Sequence, residues 1–353
     1  MCALDAEFSW PGGDQPGSPE FEYEPPAAVA EAITRTLAPL FPPAMESGAW
    51  LRALQPVTGP VGCYRLVTGN GSWFVRVSSR WRDPALERAL TCHLAGRGVN
   101  VNPLLVAGAR FEWEGQPFRA DVRPMIVGRH FDGSSADLES LAATLAACHR
   151  ALDDWTGAGA VRAAARARSE RLTEICDHIV TALKNDAFDE FAEPGSWTAE
   201  HVLWADTHRD WLAAMTEHFD PQLDRWPGAQ CLHGQIHRGN VVFRSDTGAA
   251  VLVDFEESIH VFAPVAWDVA HLVQRFCLHD DPPISVARER CSIVSKAYGT
   301  TVVGLAEMIR QAAWLSVAAI LERHVSQGIK TPLEEYEKFV RLERQTRTYE
   351  SVL

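Results

Sequence analysis

The sequence holds no C-x-x-C pair, no internal repeat and no apolar run near the roughly 18–20 residues that a bilayer-spanning helix needs. Its eight cysteines stand at positions 2, 63, 92, 148, 176, 231, 277 and 291, mostly within apolar runs. That spacing indicates no zinc or disulfide framework and predicts buried free thiols that pack as small hydrophobes. A basic excess is missing as well: 33 Lys and Arg face 46 Asp and Glu, for a net charge of −13. Nucleic-acid backbones are bound through cations, so this balance argues against a nucleic-acid partner. No basic stretch followed by an apolar one opens the chain. No signal peptide and no membrane partner are therefore expected, and the default reading is a soluble, cytoplasmic protein.

What is present fits a globular chain: 353 residues, 46% hydrophobic and 22% charged. That length gives one large or two smaller domains a real core. Residues 1–27 carry five prolines and six acids (Asp5, Glu7, Asp14, Glu20, Glu22, Glu24), and no basic residue comes before Arg35. Such a stretch buries too little apolar surface to offset its ordering entropy and reads as a loose tail or a surface-clinging arm. A short helix is expected at 27–38, which completes a first segment over 1–47.

From 48 to 128 the pattern is strand-rich. Trp50–Val57, Cys63–Thr68 and Trp73–Ser78 read as strands, the last two joined by a turn at Gly69-Asn70-Gly71, where positive φ is cheap. Asp83-Pro84 reads as the cap and first turn of a helix with an apolar stripe at Leu86, Leu90 and Leu94, ending at Gly96 and Gly98. Two more strands are expected at Leu104–Phe111 and Phe118–Ile126. From 129 to 353 helices are expected at 135–155, 160–184, 197–218, 264–278, 285–298, 304–326 and 333–349. One β island, Ala229–Phe255, interrupts them. The implied class is α+β: a small β-rich N-lobe, a larger mainly helical C-lobe with a β-hairpin insert, and a boundary near Gly128.

The island carries the chemistry. Val241–Arg244 and Ala250–Val253 flank a turn at Ser245–Gly248, and an antiparallel hairpin brings its two ends together. Asn240 enters the first strand and Asp254 leaves the second, so the two should lie side by side. An amide oxygen beside a carboxylate is a hard-oxygen pair suited to Mg²⁺ carrying substrate phosphates.

His233-Gly234-Gln235-Ile236-His237-Arg238-Gly239-Asn240 resembles the catalytic loop H-G-D-x-H-x-x-N of aminoglycoside phosphotransferases and choline kinase-like enzymes, which share a protein-kinase-like fold. Asp254-Phe255-Glu256 resembles their metal motif. WFVRVS (73–78) resembles the third strand of the small lobe, LAATLAACHRAL (141–152) the first long helix of the large lobe, and PVAWDVAHL (264–272) the helix after the metal loop. The resemblance spans roughly 50–280. It implies transfer of the γ-phosphate of ATP, or GTP, to a hydroxyl of a small molecule, with Asn240 and Asp254 on Mg²⁺. Arg76, tethered by Glu87, would hold the α and β phosphates. The loop at Gly59–Gly62 would cover the phosphates, and the chain around Met125 and Val127 would serve the purine. His233 and Asp268 would brace the loop. Acids at Asp206, Asp210, Glu217 and Asp220 read either as a face for a cationic acceptor or as a solvated helix surface.

One position departs from the family pattern. Gln235 stands where the family carries its catalytic Asp, and a carboxamide accepts a hydrogen bond but takes no proton near pH 7. Three readings stay open. Gln235 orients the nucleophile in a slow kinase; Glu256, Glu257 or His237 is the base; or the chain is a pseudokinase that binds nucleotide and supports a partner enzyme. A peptide hydroxyl as acceptor also stays open.

Overall fold

A computed structural model describes residues 22–45, 48–79, 83–185, 198–327 and 331–353. The acidic tail up to residue 21 lies outside the described residues. Where description begins, the chain clings: Tyr23 exchanges both backbone hydrogen bonds with Ala53 (2.8 and 2.9 Å), and Glu22 pairs with Arg65 at 2.8 Å. The chain forms two compact units.

The first unit comprises 22–157 and 237–259. Its sheet of β1 (Trp50–Ala53), β2 (Gly62–Thr68), β3 (Gly71–Ser78), β4 (Val106–Trp113) and β5 (Gln116–Pro124) is antiparallel, in the order β1-β2-β3-β5-β4. Strand alternation gives it two unlike faces. Tyr64, Leu66, Val75, Val77, Ala120 and Val122 point to one side, where helix α1 (Ala27–Leu37) covers them with Val29, Ile33 and Leu37. The other side carries Cys63, Arg76 and Asp121, in register across β2, β3 and β5, together with Arg119 and Arg123. Helix α2 (Pro84–Gly96) starts as the sequence predicts: Asp83 accepts from the N–H groups of Ala85 and Leu86, and Pro84 fills the first turn. The first strand is shorter than expected and stops at Ala53, beyond which only Leu54 N–H still bonds back, to the Cys63 carbonyl at 2.8 Å.

The compact units do not divide at Gly128. Strand β6 (Gly128–Arg129) pairs with β8 (Val241–Arg244), which pairs with β9 (Ala250–Leu252). Helix α3 (Ser135–Leu152) reaches the same hairpin, where Ala250 N–H donates to Ser140 Oγ and Thr144 Oγ1 donates to the Ala250 carbonyl. Leu252 exchanges backbone bonds with Asn100 and Asn102. These long-range bonds assign α3 and the hairpin to the sheet unit, a pairing that local sequence pattern does not carry.

The second unit holds 158–236 and 260–353. Its long helices are α4 (Ala158–Asn185), α8 (Ile284–Tyr298), α9 (Leu305–Gln327) and α10 (Leu333–Tyr349). The helix expected over 197–218 is two, α5 (Ala199–Thr207) and α6 (Arg209–His218). The break sits at His208, whose ring stacks on Trp204 and donates from Nδ1 to the Trp204 carbonyl at 2.9 Å. The helix expected over 264–278 is α7 (Ala266–Leu272) followed by a π-helical turn, Val273–Cys277. Strand β7 (Ala229–Cys231) pairs with β10 (Phe262–Pro264). Among the described cysteines Cys63, Cys148, Cys231 and Cys277 are buried; Cys92 is exposed, on the outer face of α2.

The close pairing of β6 on β8 requires glycine at 128, since a Cβ there would meet the Phe243 carbonyl and Val242 Cγ1. Gly128→Ala is expected to destabilise the fold by about 1–3 kcal/mol, the usual range for overpacking. Chemical denaturation checks this, and an unchanged midpoint would refute it.

Candidate active site

In the sheet unit, backbone geometry sets Asn240 beside the metal motif. Asn240 closes a 3₁₀ turn (Arg238–Asn240), is buried, and accepts from Val253 N–H at 3.0 Å through its carbonyl. This continues the β8–β9 register by one pair, so residue 254 follows directly. Asp254 has φ +60°, the left-handed region, which Asp tolerates better than most residues and which turns the chain sharply off the strand. His237 caps the 3₁₀ turn, its Nδ1 accepting from Gly239 N–H at 3.1 Å.

Arg76 reaches this turn from β3. Its Nη1 lies 3.0 Å from Asp254 Oδ1 and 3.1 Å from Glu256 Oε2. The Asp254 carboxylate holds the guanidinium charged most strongly; burial opposes this, and Glu256 adds to it. Burial next to these acids also pushes the Cys63 thiol up to about 11, so it stays protonated at neutral pH. Glu256 already neutralises Arg76, which weakens the case for it as a base; Glu257 follows in the same turn, half-buried.

Glu87 acts on Arg76 only through space, favouring its charge, and makes no direct ion pair with it among the described residues. Glu87 is 1% exposed and pairs with Arg123, a residue that sequence reasoning missed. The reason is register: Asp121 stands directly across from Arg76, and Arg123 lies two residues along the same face of β5, against α2. Asp121 in turn accepts from Gly108 N–H at 2.6 Å and lies 3.5 Å from Arg119. The signal was present in RADVRP (119–124), where charge alternates with apolar residues on a central strand.

The loop before β2 is fastened by Tyr64, whose hydroxyl donates to the Pro60 carbonyl at 2.8 Å and more weakly to that of Gly59. Gly62 lies under Val57, with no room for a Cβ. Met125 N–H donates to the Ser72 carbonyl and the Val127 carbonyl accepts from Ser245 N–H. The Met125 carbonyl, both groups of Ile126 and Val127 N–H have no backbone partner among the described residues.

In the helical unit, Asp268 of α7 is fully buried and takes two backbone N–H groups of the loop, His233 at 2.8 Å and Gly234 at 2.9 Å. His233 is also fully buried, and its Nδ1 lies 3.4 Å from Gln235 N. Trp267 Nε1 donates to the Gly234 carbonyl at 3.3 Å. Gly234 has φ +86°, and a Cβ there would strike Val261. The backbone just before Gln235 is thereby fixed, and its side chain is half-buried. Asp206 pairs with Arg209, and Asp220 accepts from Gln222 N–H and Trp226 Nε1, so two of the four acids considered for a cationic acceptor make local bonds.

The oxygen-donor set fits a hard cation. Asn240 and Asp254 supply an amide and a carboxylate at one turn, and that turn already attracts the positive charge of Arg76. Among the described residues no cluster of three or more His, Cys, Asp or Glu could hold a metal ion.

Comparison with known proteins gives consistent results. A family model described as "Phosphotransferase enzyme family" matches residues 63–292. Among curated proteins no sequence matches. A spectinomycin phosphotransferase solved with ADP and spectinomycin superposes with a TM-score of 0.58 at 13% identity, covering 91% of this chain and 98% of that one. A microcompartment-associated aminopropanol kinase gives 0.54 at 15% identity, covering 89% and 94%. A Plasmodium vivax ethanolamine kinase gives 0.52 at 11% identity, covering 86% and 84%. At these identities the likeness establishes the fold, the α+β protein-kinase-like class expected from the sequence.

Two predictions follow from the buried charges. Arg123→Met leaves Glu87 buried and unpaired and should cost about 3–5 kcal/mol, whereas Arg123→Met combined with Glu87→Met should cost much less. Denaturant melts of both variants check this, and equal losses would count against it. Burial drives the His271 pKa down from 6.5 to about 4, with Asp268 opposing. The neutral ring is favoured on folding, so its contribution is full above pH 6.5 and is lost as pH falls from 6.5 toward 4, where only the unfolded chain takes up the proton. Melting temperature against pH should fall less steeply in this window for His271→Gln than for the parent; parallel curves would refute the assignment.

Proposed function

Because the chain belongs to the phosphotransferase enzyme family, we propose that it transfers the γ-phosphate of ATP to a hydroxyl group of a small molecule. The observation that carries this reading is the placement of Asn240 and Asp254 on adjoining hairpin ends, with Arg76 reaching Asp254. In it, Asn240 and Asp254 hold Mg²⁺, which when bound neutralises charge on the phosphates of the nucleotide. Arg76 turns its guanidinium from Asp254 to the phosphates, where a planar fork makes bidentate contacts that a lysine would not. The Met125 carbonyl and Val127 N–H serve the purine edge. Backbone recognition of this kind admits GTP as well as ATP.

Gln235, five residues before Asn240 in the same loop, orients the attacking hydroxyl by accepting its hydrogen bond. Phosphoryl transfer passes through a loose transition state, so positioning and charge neutralisation carry most of the acceleration. The hydroxyl proton then leaves late, to a phosphoryl oxygen or to water. A general base is typically worth about 10²–10⁴ in rate, so a chain built this way is a slow kinase.

The test compares the parent with Asp254→Ala and Gln235→Asp in ADP release and phosphoryl transfer with Mg²⁺ over a panel of hydroxyl acceptors. Asp254→Ala is expected to lower turnover about 10²–10³-fold, as loss of one electrostatic stabiliser does. Gln235→Asp is expected to raise it. Binding of nucleotide without turnover in the parent, together with transfer restored by Gln235→Asp, would replace the slow-kinase reading with that of a nucleotide-binding pseudokinase.

A further inference from the structure

Helix α4 carries one of the most basic stretches of an acidic protein. Between residues 162 and 171 it carries Arg162, Arg166, Arg168 and Arg171 against the single acid Glu170, in a chain of net charge −13. Arg171 is occupied at 3.8 Å by Glu322 of α9. Arg162 and Arg166 converge on Asp224, which lies in a 3₁₀ turn (Leu223–Arg225) and is 3% exposed. Asp224 Oδ2 accepts from Arg162 Nε at 3.2 Å and from Arg166 Nε at 2.7 Å. Its other oxygen, Oδ1, is buried and has no hydrogen-bond partner among the described residues. The carboxylate is thus committed through Oδ2 to the two arginines, which it anchors over the turn.

Asp224 lines a cavity of about 240 Å³, bounded also by Arg166, Arg225, Ser169, Thr173 and Glu170. Arg166 uses only Nε on Asp224, and its terminal nitrogens make no bond to a described residue. Arg225 is exposed, and its side chain makes no described bond. Counting Arg162, three arginines here outweigh two acids, and the shared Asp224 is doubly neutralised. Through Ser169 and Asp224 the cavity adjoins a narrow cleft reaching Phe262 and Trp267. Phe262 pairs with Cys231, and Trp267 holds the Gly234 carbonyl, so the cleft leads to the backbone next to Gln235.

We infer that this cavity is the acceptor subsite and that the acceptor is a hydroxylated small molecule bearing an oxyanion, its carboxylate or phosphate on Arg166 and Arg225, with Asp224 holding Arg166 in place. The inference rests on the kinase reading for the word acceptor, but the binding it describes needs no turnover. The experiment is calorimetric binding and coupled ADP release with four probes: glucuronate, glucose 6-phosphate, glucose and glucosamine. They are compared on the parent, Arg225→Ala, and Arg166→Ala with Arg225→Ala. Arg225 is exposed, so its variant folds even where the double variant does not. One or both anionic probes should bind about tenfold or more tightly than glucose and glucosamine, as a charge-assisted bond implies, and each arginine change should weaken them by a similar factor. The nucleotide KM should move less than twofold. Whichever anionic probe binds better identifies the oxyanion. Tighter binding of glucosamine, no binding of either anionic probe, or unchanged affinity in Arg225→Ala would each overturn the inference. Phosphorylation of glucosamine would do so while keeping the kinase reading; anion binding without any turnover would do the reverse.

Discussion

The polar face of the five-stranded sheet is held by one constraint: cations that are buried or half-buried there must meet acids. Arg76 meets Asp254 and Glu256, Arg123 meets Glu87, and Arg119 lies against Asp121. An unpaired charge in such a place costs several kcal/mol, so these pairings decide which side chains can approach the hairpin that carries Asn240 and Asp254. The opposite face has no such requirement and is closed by the apolar stripe of α1. Because strand alternation separates the two faces, the sheet can be a packed core on one side and an ionic surface on the other.

Much of this was legible in the sequence because it is local. The turn at Asn70, the Asp83 cap, the β8–β9 hairpin and the adjacency of Asn240 and Asp254 each follow from a few consecutive residues. The Glu87 partner was not legible, because choosing between Arg76 and Arg123 requires the β3–β5 register and the position of α2. The break at His208 depends on a ring stacking over Trp204 inside a pattern that reads as continuous helix. Nothing local marks a partner for the arginines of α4; only the fold brings Asp224, 58 residues beyond Arg166, to them.

The loop before Gln235 is held through its backbone. Asp268, Trp267 and Val261 constrain the backbone at residues 233 and 234 through groups that any side chain at 235 leaves intact. These contacts are made by neighbouring backbone and do not depend on which side chain stands at 235.

The pairing of β6 with β8 has a further meaning for how the protein is made. The sheet unit is discontinuous: it needs 237–259, which emerge only after the first half of the helical unit. The helical unit in turn needs 260–353. Each unit thus waits on the other during synthesis, and neither is released by cutting the chain at one point. Closing so long an intervening segment delays the non-local pairings and leaves the edge of β6 open meanwhile. The nascent chain passes through a stage in which Gly128 and Arg129 have no strand to join, and that interval, rather than the stability of the finished fold, is where it is most exposed to mispairing.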